Sequence, residues 1–151
     1  MKDKLQQILL SQNEGILIVT LNRPEARNAL TFEMYKNLES ICKKAGTVND
    51  QQGIKVIIIA GAGDKAFAAG TDIGQFTKFK SIDNGHDYEA EIDRVITSIE
   101  TCQVPVIAAL HGAVTGGGLI IAAAAHLRLA SAGVKIGMPI ARTLGNCLAV
   151  S

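Results

Sequence analysis

Two apolar runs, IKVIIIA (54–60) and VPVIAAL (104–110), each lead straight into a glycine-rich loop. This pairing constrains the fold of the chain more than any other feature. Runs rich in Val and Ile with no polar alternation read as strands covered on both faces, the pattern of a parallel sheet packed between helices. In such sheets, ligands bind where loops leave the carboxyl ends of the strands. Both loops, GAGDKAFAAGTD and HGAVTGGG, leave such ends. The second contains three consecutive glycines at the entrance of an alanine-rich segment that reads as a buried helix. Glycine lowers helix stability by about 1 kcal/mol per position relative to alanine. The run at 116–118 therefore needs a reason, either tight strand–helix packing or the close approach of a ligand to bare backbone.

The remaining elements fall around these runs. LQQILLSQNEGILIVTL holds two apolar stretches flanking Asn13-Glu14-Gly15, which predicts an antiparallel hairpin. Met34, Tyr35, Leu38, Ile41, Cys42 and Ala45 recur at helical spacing, with Thr31 placed to cap the helix and Gly46 to end it. Ile92, Val95, Ile96 and Ile99 give a second amphipathic helix before Pro105 interrupts, and residues 74–88 read as mixed and polar. LRLAS and VKIGM read as further short strands. The alternation predicts a parallel α/β core. Residues 1–151 are expected to form one domain, incomplete at its C-terminal side because no terminating element follows NCLAVS.

Composition excludes several function classes. A formal charge of +1 with no basic run gives no electrostatic footprint for nucleic acid. The longest uninterrupted apolar run, Leu119 to Ala125, is far short of the ~20 residues a membrane span requires. With no signal-like N-terminus, a cytoplasmic, soluble protein is expected. Cys42, Cys102 and Cys147 have no metal-binding spacing and read as inert or buried thiols, so no metal is expected. Gly61-Ala62-Gly63-Asp64-Lys65-Ala66 satisfies the G-x-G-x-x-A pattern of dinucleotide sites, with Asp83 about 20 residues on. Gly70 and Gly74 nevertheless fall where that motif needs a long helix.

NRPEARNAL, then KVIIIAGAGDKAFAAGTDI, then the Gly117 region, in this order and spacing, resemble the crotonase superfamily of enoyl-CoA hydratases and isomerases. The resemblance covers essentially the whole chain and the N-terminal part of a typical member. It implies a spiral of repeated β-β-α units with parallel sheets, lacking the C-terminal helical region. It also implies an acyl-CoA substrate, with coenzyme A entering as part of that substrate and no separate cofactor, and a homotrimer or hexamer at full length. Its oxyanion donors carry over to the backbone N–H groups of Thr71 and Gly117. The coenzyme would be held around Glu25, Ala26, Arg27 and Ala29, and around Ala69, Asp72, Ile73 and Gly74, with Arg27 suited to a phosphate.

The resemblance fails at the acid–base positions. The two glutamates of family hydratases fall on Ile120 and Ile140, and a third position used by some relatives falls on Leu148. Acid–base groups there would each contribute ~10²- to 10⁴-fold. Half the expected machinery, the enolate-stabilising half, is therefore present, and the proton-moving half must come from elsewhere or be absent. His111, His86, Asp87 and Glu89 are candidates, with structural roles as the alternative for each. His126 reads as a satisfied boundary histidine, while Arg142, Asn146 and Cys147 stay open. Two functions follow as expectations: an acyl-CoA enzyme with non-standard catalytic residues, or a non-catalytic protein of the same fold that binds CoA thioesters or acts through assembly.

Overall fold

The computed structural model describes residues 6–78 and 82–139, with the side chains of 78 and 82–86 excluded. Strands β1 (Ile8–Asn13) and β2 (Ile16–Leu21) form the expected hairpin around Glu14 and Gly15, both in the left-handed region. Helix α1 (Phe32–Lys44) starts where Thr31 caps it, its side chain accepting from the Met34 N–H at 3.2 Å, and buries Met34, Tyr35, Leu38 and Cys42. Strand β3 (Val56–Gly61) pairs parallel with β2, β5 (Val106–Leu110) parallel with β3, and β7 (Leu127–Ala130) parallel with β5. The result is a five-stranded sheet in the order β1-β2-β3-β5-β7.

The two strands read as covered on both faces are covered unequally. Ile57, Ile59, Val106 and Ala108 are sealed, but Val56, Ile58, Ile107 and Ala109 on the alternate face are only half-buried. Period-2 alternation makes this difference. The sealed set packs against α1 and against α2 (Ile82–Glu100), whose Ile92, Val95, Ile96 and Ile99 complete the aliphatic core. Helix α2 begins ten residues before its apolar pattern does, so the polar stretch expected ahead of it is partly helical.

The two glycine-rich loops also differ from expectation, because each contains a strand. Strand β4 (Ala66–Ala68) and strand β6 (Ala113–Thr115) pair parallel, and β8 (Lys135–Gly137) extends them into a second, three-stranded sheet. Segments this short and rich in small residues carry no periodic signal. Ala66 opens a strand where a dinucleotide-binding turn would open a helix, which removes the G-x-G-x-x-A reading. Helix α3 (Gly117–Ala124) follows β6 and buries Gly117, Gly118, Ile121, Ala122 and Ala124.

Candidate active site

Both loops converge on the first turn of α3. The upstream loop is clamped by the segment 22–30. Asn28 is fully buried with φ of 55°, and its amide nitrogen donates to the carbonyls of Ala62 (2.9 Å) and Ala66 (2.8 Å). Its side-chain oxygen accepts from the Arg23 N–H at 3.0 Å. Arg23 in turn pairs with Asp72 at 2.9 Å and donates to the Ala29 carbonyl at 2.6 Å. Backbone bonds finish the clamp: Ala69 N–H to the Arg27 carbonyl, Leu30 N–H to the Gly70 carbonyl, and Asp72 N–H to the Leu30 carbonyl. Leu30 thus engages the peptide groups on either side of Thr71. Because extended backbone alternates the direction of its groups, the Thr71 N–H faces away from Leu30.

The downstream loop meets it edge to edge. Gly116 adopts φ of 51° and ψ of −125°, and a Cβ on it would lie 3.3 Å from the Gly70 Cα. A Cβ on Gly117 would strike the Tyr35 hydroxyl and lie 2.9 Å from Thr71 Oγ1; one on Gly118 would strike the Ala68 carbonyl oxygen. Only glycine permits this approach. The N–H of Gly117 sits in the first turn of α3, where backbone donors have no partner inside the helix. The first bond recorded across that turn is from the Ile120 N–H to the Gly116 carbonyl.

Sequence reading missed a cluster of hydroxyls behind this junction. Tyr35 Oη lies 2.8 Å from Thr71 Oγ1, which lies 3.0 Å from Tyr88 Oη. Burial pushes both phenols above their ordinary range, and the charge of Glu91 adds to the rise at Tyr88. Helical spacing marked Tyr35 as core, correctly, but could not show where its hydroxyl ends. Phe32, Phe76 and Tyr88 pack with ring centroids 4.8–5.8 Å apart beside the cluster.

The other candidates divide. Glu25 and Arg27 are exposed on the clamp, and Arg27 is in no ion pair among the described residues. Ala26, Ala29 and Ala69 are half-buried at the junction of the two segments. Ile73 is 80% exposed and Gly74 is open, its N–H donating to Asp72 at 3.1 Å. Ile120 is partly buried against the core and brings no polar group to the first turn of α3. His126 is satisfied, Nδ1 accepting from the Val106 N–H at 2.9 Å with Nε2 3.1 Å from the Glu100 carbonyl. Among the described residues His111 Nε2 is buried without a partner, and none of the His111 bonds reaches Thr71 or Gly117. Asp87 and Glu89 are exposed. Ile140, Arg142, Asn146, Cys147, Leu148 and the side chain of His86 lie outside the described residues. Cys42 and Cys102 are free thiols, brought together by the packing of α1 against the end of α2, with Cys102 Sγ 3.4 Å from the Cys42 carbonyl.

Among the described residues no group of three or more His, Cys, Asp or Glu is placed to hold a metal ion. No helix among them is long and apolar enough to cross a membrane. A cleft of about 550 Å³ lies between β1 and α1, lined by Gln6, Ile8, Leu10, Asn37 and Ser40 among others. Volume alone would favour it as a site; it shares no residue with either loop.

Two apposed glycine-bearing loops thus follow the parallel strands β3 and β5 and meet at Gly70 and Gly116. Residues 11–145 match the family model for enoyl-CoA hydratase/isomerase, and the chain belongs to that family. It is similar to the short-chain-enoyl-CoA hydratase of Clostridium acetobutylicum, 32% identical over 90% of this chain and 51% of that protein. The crotonyl-CoA hydratase of Syntrophomonas wolfei is 35% identical over 89% of this chain and 50% of its own length. An enoyl-CoA hydratase/carnithine racemase structure from Magnetospirillum magneticum superposes with a TM-score of 0.84 at 33% identity, covering 97% of this chain and 54% of that one. The crotonase fold expected from the sequence is therefore present, and the chain spans about half the length of the relatives it matches.

Proposed function

We propose that the chain binds an acyl-CoA thioester with its carbonyl oxygen between the N–H groups of Thr71 and Gly117. The observation that carries this reading is the apposition of Gly116 and Gly117 against Gly70 and Thr71, with neither the Thr71 nor the Gly117 N–H bonded to a backbone carbonyl among the described residues. As electrons move onto the thioester oxygen to form an enolate, fixed N–H dipoles hold it more tightly than the ground-state carbonyl. One such donor commonly contributes ~10²- to 10³-fold in rate. The helix dipole of α3 adds to the same effect.

The clamp and the upstream loop would hold the coenzyme. Exposed Arg27 offers a guanidinium to phosphate, and exposed Ile73 offers apolar surface to the pantetheine chain. Asp72 is committed to Arg23 and to the Gly74 N–H, so its part is to hold the loop's shape. Relatives named for hydratase activity support turnover of an acyl-CoA. Ile120, aliphatic beside the second amide, favours the other reading, a protein that binds CoA thioesters without turning them over. In either case the working form would be cytoplasmic and a trimer or hexamer.

Calorimetric titration of the chain with butyryl-CoA and with free coenzyme A tests the site. Tighter binding of the thioester than of the free thiol is expected. Equal affinity for the two, or none for either, rules the thioester site out. Loss of the conjugated enoyl absorbance with crotonyl-CoA then separates an enzyme from a binding protein.

A further inference from the structure

The two amides lie beyond the strand pairing that joins their loops. Strands β4 and β6 pair as far as Ala68 and Val114, each three residues short of its donor. Past those positions no backbone hydrogen bond links the two segments among the described residues, so contact sets their separation at Thr71 and Gly117. Gly117 is helical and lacks the positive φ of Gly116, so its backbone alone would accept alanine. Space is what excludes a side chain there. A Cβ would strike the Tyr35 hydroxyl, with Thr71 Oγ1 at 2.9 Å and Leu30 Cδ1 at 3.4 Å. The same hydroxyl lies 2.8 Å from Thr71 Oγ1. One oxygen thus abuts both donor-bearing residues. The Tyr88 hydroxyl, 3.0 Å from Thr71 Oγ1, is not among the three atoms nearest that Cβ position.

Tyr35 is built to fix a distance. It is 2% exposed, and its N–H donates at 3.1 Å to the carbonyl of Thr31, the residue that caps α1. A close-packed interior gives such a ring little room to shift. The apolar pattern of α1 asks only for a hydrophobic side chain at this position, and burying a hydroxyl costs free energy unless it is bonded. We propose that Tyr35 is a positioning residue that spaces the two amide donors. Its hydroxyl holds Thr71 by a hydrogen bond and stops Gly117 by contact, so that both N–H groups reach one carbonyl oxygen. In this role it acts through Thr71 and Gly117 and not on the substrate. The proposal rests on the thioester site described above.

The test combines calorimetric affinities for butyryl-CoA and free coenzyme A with difference infrared spectra of butyryl-CoA carrying ¹³C at the thioester carbonyl, using the full chain and its variants. Two aligned donors are expected to move the bound carbonyl band to lower frequency in the unsubstituted chain. Tyr35→Phe is expected to move the band back toward its free position. The same variant should cut the preference for thioester over thiol by about 2- to 10-fold, the worth of one hydrogen bond, while affinity for free coenzyme A stays the same. Gly117→Ala is expected to weaken butyryl-CoA binding, and adding Tyr35→Phe to restore part of it, because the oxygen that the new methyl strikes is gone. If Tyr35→Phe does not fold, Thr71→Val breaks the same bond from its other end and is expected to move the band in the same direction. An unmoved band in whichever of these two variants folds, an equal loss of affinity for both ligands, or additive losses in Tyr35→Phe and Gly117→Ala overturns the proposal. Butyryl-CoA bound no more tightly than free coenzyme A by the unsubstituted chain instead overturns the thioester site, and this proposal falls with it.

Discussion

The loop that carries Thr71 is held by side-chain as well as backbone hydrogen bonds, whereas the loop that carries Gly117 is held by backbone hydrogen bonds and by close packing of bare glycines. Around Thr71, Asn28, Arg23 and three backbone hydrogen bonds fix the path from Ala62 to Asp72. Around Gly117, β6 pairs with β4 and β8, and Gly116, Gly117 and Gly118 press against Gly70, Tyr35 and Ala68. A bonded loop can be loosened by removing a donor. A close-packed run of glycines can be displaced by adding atoms. The two must meet within a fraction of an ångström to share one ligand atom, so each kind of damage should reach the other loop.

The largest effect is expected at Asn28. Asn28→Ala removes both carbonyl bonds and leaves a non-glycine residue at φ of 55°. Buried carbonyls without donors cost about 1–3 kcal/mol, and the left-handed backbone adds about 1 kcal/mol. A loss near the top of that range is expected in urea unfolding, and Asn28→Gly, which removes only the bonds, should lose less.

Next comes Gly118→Ala. An open helical position would gain about 1 kcal/mol from alanine, whereas overpacking against the Ala68 carbonyl costs about 1–3 kcal/mol. Net destabilisation is expected. A stabilised variant would mean that the downstream loop is not held by contact.

Smaller and pH-dependent is the effect of the phenols. Tyr35 and Tyr88 are the only tyrosines and the chain has no tryptophan, so phenolate absorbance reports on the cluster alone. Both folded pKa values lie above the unfolded one, mainly through burial. Their contribution is therefore fully present below about pH 10 and declines as pH rises through the folded values. Phenolate absorbance should appear above pH 10, together with unfolding. Tyr35→Phe should flatten the alkaline decline. Phenolate appearing in the folded chain at the ordinary pH would contradict the cluster's burial.

The smallest effect belongs to the ion pair. Arg23 and Asp72 side chains are 20% and 29% exposed, and such pairs contribute about 0.2–1 kcal/mol. Asp72→Asn should lie within that range. Arg23→Gln should cost more, because the Ala29 bond is lost as well. A double-mutant cycle isolates the pair.

The strand–helix order, the hairpin at 13–15, the Thr31 cap and the family were legible in the sequence because they rest on local periodicity, turn chemistry and ordered motifs. The three-residue strands β4 and β6 were not, since their pairing arises only when the two loops are laid side by side. Asn28 was hidden because a buried amide in a polar, proline-containing segment has no periodic mark.

By itself, then, the sequence determined which segments become strands and helices, and it determined that glycine-rich backbone lies at two strand ends. Only the tertiary structure decided that Thr71 meets Gly117 and that Tyr35 and Tyr88 close around them. Periodicity and turn chemistry act over a few residues and are written locally. Contacts between positions 35, 71, 88 and 117 are set by chain segments far apart in sequence, and exist only once the core has brought them together.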